Sequence, residues 1–242
     1  MRLRHLVSAI TLSLVVAAGP AFAERDIDKV FGGITAEAGQ DYGSLETVNG
    51  GITIRSGATV RSAATVNGGV SIAADAKVGQ VETVNGGVSL DAGASADSIE
   101  AVNGGLTLDE RAQVKFDAET VNGGIKLADG AGVGGDVETV NGAITLNHAK
   151  VDGMVVTTNG DIMVVRSSVI GGGIRIEKPD TNWSWGGNKP KIPRVVIGNG
   201  SVVNGPMTFE REVELFVHTS AKVGEITGAT PTPFTESLPP RQ

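Results

Sequence analysis

Five glutamates stand at the same position of a repeated phrase, each three residues before an asparagine: Glu46, Glu82, Glu100, Glu119 and Glu138. Ala64 interrupts the series and Val156 ends it. Stacked about 4.8 Å apart, these carboxylates would repel one another unless solvent or a bridging cation such as Ca²⁺ intervened. Lys and Arg lie nearby, and the calcium-binding pattern Gly-Gly-x-Gly-x-Asp is not repeated. The pattern therefore favours a solvated acidic face, and we predict no metal site and no cofactor.

The two tryptophans of the chain, Trp183 and Trp185, are separated by one residue and lie in a segment rich in proline. Such a pair can stack on a sugar ring or rest at a membrane interface. It can equally anchor the loop to the rest of the molecule, which is the more common role. Four basic residues flank the pair: Lys178, Lys189, Lys191 and Arg194. We treat this segment as a candidate ligand-contact loop.

These residues are set in a chain that repeats Val-Asn-Gly-Gly followed by an aliphatic residue. The asparagine recurs at a nearly constant step. Most steps are three six-residue units long, and two steps are one residue longer. A fixed period this short is typical of a solenoid. The repeated asparagines are Asn49, Asn67, Asn85, Asn103, Asn122, Asn141 and Asn159.

Apolar residues recur every six positions from Val48, and a second, smaller one often follows four places later. Two apolar residues separated by two, such as Ile52 and Ile54, face the same way on a strand. Three hexads make one coil with three short strands, and this length matches the common step between asparagines. The prediction is an all-β, single-domain, three-sided parallel β-helix of about nine or ten coils.

The repeated phrase predicts a tight corner, because asparagine tolerates left-handed backbone and glycine reaches positive φ without steric cost. Stacked asparagines predict a structural ladder of amide hydrogen bonds. We expect this ladder to be buried, so that loss of Asn103 would leave partners unpaired. The two longer steps, which end at Asn122 and Asn141, predict one extra residue just before the phrase, around residues 119–120 and 138–139.

The segments on either side of the repeat divide the chain. Residues 1–23 have a basic start, an apolar stretch and an Ala-Phe-Ala cleavage site, which together predict a secretory signal peptide. We predict an N-terminal cap at 24–46, regular β-helix repeats at 47–176, an extruded Trp/Pro loop at 177–194, C-terminal β-helix coils at 195–228 and a disordered tail at 229–242. The protein would therefore be exported, to the periplasm, the outer cell surface or the medium.

Composition narrows the range of partners. The formal net charge is −7, which argues against nucleic acid and against an anionic membrane surface. Cysteine is absent, so packing and hydrogen bonds alone must hold the fold. No stretch after the signal is apolar enough to predict a transmembrane segment. An envelope glycan or protein partner and self-association are the partners we expect.

The recurrent Thr-Val-Asn-Gly-Gly-Ile phrase, as at residues 120–125, follows a signal-like start and resembles exported bacterial adhesin-like β-helix proteins of unknown function. The six-residue rhythm is similar to that of bactofilins. The resemblance spans residues 45–176, with a weaker echo in 195–228. The resemblance implies right-handed coiling, and the similarity to bactofilins also implies polymerisation. Bactofilins are typically cytoplasmic, so the signal-like start of this chain is a departure from that family.

The hexad rhythm is also similar to that of hexapeptide acyltransferases, whose resemblance implies a catalytic histidine beside a protruding loop. Only His148 and His218 follow the predicted signal, and neither lies in the predicted loop. Polysaccharide-acting β-helix enzymes would need a cluster of acidic and basic residues that the sequence does not reveal. We therefore predict no catalytic residue. The leading hypothesis is a non-catalytic adhesin-like or interaction scaffold, and the alternative is a self-assembling structural protein.

Overall fold

Parallel strands make up nearly all regular structure in this protein. The computed structural model describes residues 25–179 and 191–239, so the predicted signal at 1–23 and both Trp183 and Trp185 lie outside the described residues. No helix in this part of the chain is long and apolar enough to cross a membrane. The strands are β1 Arg25–Phe31, β2 Ile34–Ala36, β3 Asp41–Asn49, β4 Ile52–Ile54, β5 Thr59–Asn67, β6 Val70–Ile72, β7 Lys77–Asn85, β8 Val88–Leu90, β9 Ser95–Asn103, β10 Leu106–Leu108, β11 Gln113–Val114, β12 Ala118–Thr120, β13 Ile125–Leu127, β14 Gly132–Val133, β15 Val137–Thr139, β16 Ile144–Asn147, β17 Lys150–Val151, β18 Met154–Thr157, β19 Ile162–Val165, β20 Val169–Ile170, β21 Gly173–Ile176, β22 Arg194–Ile197, β23 Val202–Val203, β24 Met207–Phe209, β25 Glu214–His218, β26 Lys222–Val223, β27 Ile226–Thr227 and β28 Thr232–Phe234.

Each coil crosses three faces before it meets the next coil. In β5, residues 59–60 lie on the first face and residues 62–67 on the second face, with Arg61 at the bend between them. The third face carries the short strand that follows, such as β6. The first two faces share a 17-stranded sheet, and the third face is an 11-stranded sheet. The predicted all-β parallel solenoid, with coils the length of three hexads, is confirmed.

The solenoid is longer at both ends than the sequence predicted. β1 and β2 pair with β3 and β4, so residues 25–36 form a further coil within the predicted cap, with a register shift between Arg25 and Ile27. At the other end β28 pairs with β25 and buries Phe234, within the predicted disordered tail. Pro233 is tolerated in β28 because a terminal strand has one edge without a partner. The stack therefore has 11 strands on its third face rather than nine or ten, and is about 50 Å long.

Identical or similar aliphatic side chains stack along the interior. The first inward position of the third face is at most 3% exposed from β2 to β25. Burial of each such side chain stabilises the fold by about 1.5–3 kcal/mol. This interior column contains Ile34, Ile52, Val70, Val88, Leu106, Ile125, Ile144, Ile162, Val195 and Leu215.

Threonine takes the place of one predicted core residue in most regular coils, and Ala101 does so in the coil of β9. The six-residue rhythm predicted inward positions for residues such as Val66 and Val84, but both lie only partly buried at the second corner. The residue before each of them is buried instead, and its hydroxyl donates to the first glycine carbonyl of the preceding coil. Thr65 Oγ1 donates to Gly50 O at 2.9 Å, and Thr83 Oγ1 to Gly68 O at 2.9 Å.

The first glycine of the phrase is required by close backbone approach rather than by left-handed backbone. A Cβ at Gly86 would lie 2.0 Å from the Gly68 carbonyl oxygen, so no side chain fits there. From Asn49 onward, neither the ladder asparagines nor the two glycines after them have positive φ in the described residues. The left-handed residues occupy another corner, at positions such as Gly57 and Asp75. The predicted left-handed corner at the phrase is therefore wrong.

The extra residue of the two longer coils lies between the first and second faces. On the preceding coil the partners of Val114 and Ala118 are Ala96 and Ile99. The chain therefore takes one more residue to travel from Val114 to Ala118 than from Ala96 to Ile99, which places the addition in 115–117. The next coil repeats it in 134–136. The prediction of residues 119–120 was wrong because the spacing of asparagines reports only the length of a coil.

The same corner marks a change in how the strands are divided. The continuous strands β3, β5, β7 and β9, which run across the first and second faces, give way after it to separate shorter strands. The added residue therefore interrupts the strand without breaking the register on either face, since β11 and β12 both pair with β9.

Candidate functional site

Seven asparagines form a continuous hydrogen-bonded ladder along the second corner. Each Nδ2 from Asn67 to Asn159 donates to the Oδ1 of the preceding coil's asparagine, at 2.9 to 3.0 Å. At the N-terminal end, Asn49 Nδ2 lies 3.4 Å from Val30 O. At the other end, Arg211 Nη1 donates to Asn159 Oδ1 at 2.8 Å. The predicted ladder is confirmed, and Arg211 terminates it with a charged donor.

The ladder lies at the surface. Its asparagines are exposed from Asn67 to Asn159, so the expectation of a buried ladder was wrong. Water can satisfy an exposed amide that has lost its partner, whereas the buried threonine hydroxyls beside the ladder have no such substitute. The polar groups inside this corner therefore contribute more to stability than the amides outside it.

Register places the predicted carboxylates in one outward column of the second face. The column runs Asp28, Glu46, Ala64, Glu82, Glu100, Glu119, Glu138 and Val156. Four glutamates from Glu82 to Glu138 therefore stand on consecutive coils without interruption. In the described residues, no group of three or more His, Asp or Glu side chains could hold a metal ion.

Burial and crowding raise the pKa of four glutamates in this column. Burial, followed by the charges of Glu138, Asp117 and Glu100, raises the pKa of Glu119 from 4.5 to about 7. Burial also raises the pKa of Glu82, with Glu100 and Glu46 adding to the effect. The pKa values of Glu46 and Glu138 are raised as well, in both cases first by burial. Glu119 therefore binds a proton near neutral pH, because its carboxylate is poorly solvated and faces other carboxylates.

A groove runs along the first face and encloses about 640 Å³. The outward residues of this face between β5 and β17 are Thr59, Lys77, Ser95, Gln113, Gly132 and Lys150. All six line the groove, together with small residues of the adjoining corners. The Gln113 side chain lies over Gly132 on the groove floor, where its Nε2 donates to Gly130 O at 3.1 Å.

The groove carries more positive charge than the acidic chain would suggest. Lys77, Lys115 and Lys150 line it, against Asp97 and Asp152. Lys150 Nζ pairs with Asp152 Oδ1 at 2.7 Å. Within residues 25–179 and 191–239, neither Lys77 nor Lys115 forms an ion pair, so both ammonium groups are available to a ligand.

An aromatic ring stands beside the groove, at the corner that contains the extra residue. Phe116 is 51% exposed, and Lys115 Nζ lies 4.8 Å from the centroid of its ring. Asp117 Oδ1 accepts a hydrogen bond from Asp136 N at 2.8 Å, and Asp136 Oδ1 accepts one from Met154 N at 2.8 Å. These bonds tie corners of adjacent coils together and hold the backbone that carries Phe116.

The two histidines of the described chain are held by local contacts. His148 has a φ of 52° at the left-handed corner, and its Nδ1 contacts Asp129 Oδ1. His218 contacts Ser220 Oγ through Nδ1 at 2.8 Å, and its ring meets that of Phe234 edge to face at 5.1 Å. The two rings lie on coils that are far apart in the stack.

The candidate tryptophan loop is described only at its flanks. Lys191 Nζ pairs with Asp161 Oδ2 at 2.6 Å, and Arg194 N donates to Asp161 Oδ1 at 2.9 Å. Arg211 Nη2 donates to Lys191 O at 2.9 Å. The chain therefore returns to the solenoid at a firmly bonded point, next to the end of the asparagine ladder.

Sequence patterns predicted the ladder and the carboxylate column but not the groove. The groove's signal is the residue two places after the left-handed corner, where Lys77 and Lys150 are separated by Ser95, Gln113 and Gly132 on the coils between them. That signal becomes readable only once the first face is in register. Comparison with models of protein families, with curated proteins and with solved structures found no match to this chain.

Replacing Asn103 by alanine is expected to lower the free energy of unfolding by less than about 1 kcal/mol, because water replaces both lost amide partners. Thr83→Val is the matched comparison. It should cost about 1–3 kcal/mol, since it leaves the Gly68 carbonyl without its donor in a buried corner. Urea unfolding of both variants measures the difference. An equal or larger loss at Asn103 would show that the ladder is shielded from water.

Glu119→Gln is expected to stabilise the protein at high pH. The folded state binds more protons than the unfolded chain between the ordinary pKa of 4.5 and the raised value of about 7. Stability therefore falls as pH rises through that window, and the whole penalty is present above it. The melting temperature of the variant should exceed that of the unmodified chain at about pH 8 and match it near pH 4. Glu110→Gln, on an exposed carboxylate, is the control; a gain independent of pH would contradict the assignment.

Proposed function

We propose that this chain is a non-catalytic, exported cell-envelope solenoid that acts as an adhesin-like interaction scaffold. The observation that carries the proposal is the groove on the first face. It is long, extends over the coils from β5 to β17 and is lined by groups that bind rather than react: lysine ammonium groups, hydroxyls and a glutamine amide.

Rigidity supports a scaffold role. A binding surface gains affinity when its groups are held in place before the ligand arrives. Here the backbone on each face is bonded to the coils above and below, and the asparagine ladder fastens the second corner from Asn49 to Asn159. The groove is therefore pre-organised along its whole length.

Export and location follow from the sequence. Residues 1–23 have the pattern of a secretory signal, and the Thr-Val-Asn-Gly-Gly-Ile phrase resembles exported adhesin-like β-helix proteins. A cell-envelope location would bring the groove into contact with surface polymers. The local contacts of His148 and His218 agree with structural roles for both histidines, which supports a non-catalytic function.

The binding role predicts that blocking the groove removes attachment to cell envelopes. Ser95→Trp places a large side chain on the groove floor, whereas Ser89→Trp places the same side chain outward on the third face. Both serines are partly buried, so the two variants are matched in chemistry and position along the stack. Co-sedimentation with purified envelope polysaccharide and peptidoglycan should be lost only for Ser95→Trp. Equal binding by both variants, with both folded, would contradict a role for the groove.

Self-assembly is the second candidate, and the N-terminal end favours it. β1 and β2 each pair on one side only within the described chain, and Val30 and Phe31 on that coil are 61% and 78% exposed. An unpaired edge with exposed apolar side chains is a template for another strand.

If copies associate through this end, the sedimentation coefficient should rise with protein concentration. Val30→Lys combined with Phe31→Lys should abolish the rise, because charges at a strand edge oppose pairing. Thr53→Lys is the control, since Thr53 points outward on the second coil, where β4 is paired on both sides. Monomers at every concentration would exclude this function.

A further inference from the structure

We propose that the groove of the first face binds a linear acidic polysaccharide that carries one carboxylate per disaccharide. The inference deepens the proposed binding function and rests on it. Its basis is the arrangement of positive charge along the groove: Lys77 and Lys115, which form no ion pair in the described residues, stand two coils apart, and Lys150, two coils further on, is paired with Asp152.

The three groove lysines stand on every second coil. On the first face the order of strands is β7, β9, β11, β14 and β17. Lys77 belongs to β7, Lys115 follows β11 and Lys150 belongs to β17. The lysines are therefore separated by two coil rises, about 9.6 Å along the axis. That spacing is close to the length of a disaccharide in an extended chain.

The coils between the lysines offer groups suited to sugar hydroxyls. Ser95 lies between Lys77 and Lys115, and Gly132 lies between Lys115 and Lys150. The Ser95 hydroxyl can donate and accept hydrogen bonds, and Gln113 Oε1 can accept them, while Gln113 Nε2 donates to Gly130 O at 3.1 Å. Gly132 is buried beneath the Gln113 side chain, so the groups offered at this coil are those of the glutamine amide. The exposed ring of Phe116 at the rim adds an apolar face of the kind that stacks on a pyranose.

An acidic residue in the groove selects against more heavily charged polymers. Asp97 lies at the corner of the coil between Lys77 and Lys115, and it lines the groove. A polymer with a charge on every sugar would place one of its anions beside this carboxylate. Repulsion of the wrong ligand is a common source of specificity. Nucleic acid and polyphosphate, which carry charges still closer together, are disfavoured for the same reason.

The test measures binding of the full purified chain to oligosaccharides by calorimetry at low salt. Hyaluronan oligosaccharides, with one carboxylate per disaccharide, should bind at least about tenfold more tightly than uncharged chitin oligosaccharides, since each close charge pair adds affinity. They should also bind more tightly than polymannuronate, which has a carboxylate on every sugar. Asp97→Asn should reduce the difference in affinity between hyaluronan and polymannuronate oligosaccharides.

Lysine variants identify the site. Lys77→Gln and Lys115→Gln should each weaken hyaluronan binding about fivefold or more, because each removes one charge contact. Lys126→Gln is the matched control, since Lys126 is an exposed lysine that points outward on the third face. Binding that is unaffected by the groove lysines, or weakened equally by all three changes, would overturn the proposal.

The ligand classes separate in the same experiment. Equal binding of chitin and hyaluronan oligosaccharides would overturn the requirement for a carboxylate, and tighter binding of polymannuronate or polyphosphate would overturn the spacing argument. If hyaluronan oligosaccharides do not bind while Ser95→Trp still abolishes envelope attachment, the proposed acidic ligand is wrong and the proposed scaffold function stands. If Ser95→Trp also has no effect, both proposals fail.

Discussion

Backbone hydrogen bonds between successive coils determine where every side chain of this solenoid lies. Because the strands pair in parallel and in register, residues one period apart stand directly above one another, about 4.8 Å apart. Ile52 lies on Val70, Asn67 on Asn85 and Glu82 on Glu100. A residue type that recurs at the same position of the repeat therefore forms a column of stacked side chains along the solenoid axis. The side chains of such a column interact with copies of themselves.

Stacking identical side chains is energetically favourable for some residue types and unfavourable for others. Asparagine both donates and accepts, so a column of asparagines bonds to itself, while buried threonines bond to the glycine carbonyls inside the same corner. Glutamate can only repel its own copies when ionised. The same register that builds the ladder therefore raises the pKa of Glu119 to about 7, with burial as the larger cause. The stacked glutamates of the second face therefore repel one another when ionised, whereas the asparagines and threonines of the second corner form hydrogen bonds.

The groove differs from these columns because its residues are not identical. Thr59, Lys77, Ser95, Gln113, Gly132 and Lys150 share one outward position. The residues at this position vary, and Lys77 and Lys150 occupy it four coils apart, with Lys115 at the adjoining corner between them. The inserted residue at 115–117 adds Phe116 to the rim. A surface suited to a ligand thus arises where the repeat is least strict.

The sequence alone determined the period, the parallel three-sided coil, the ladder and the carboxylate column, because each depends only on spacing along the chain. It did not determine which of two neighbouring residues at the second corner points inward. Thr65 is buried while Val66 is only partly buried, because the Thr65 hydroxyl donates a hydrogen bond to the Gly50 carbonyl. Nor did it locate the extra residue at 115–117 or the β28 strand in the tail. Only the tertiary structure decided these features and the groove, because they depend on which backbone atoms of neighbouring coils lie opposite one another.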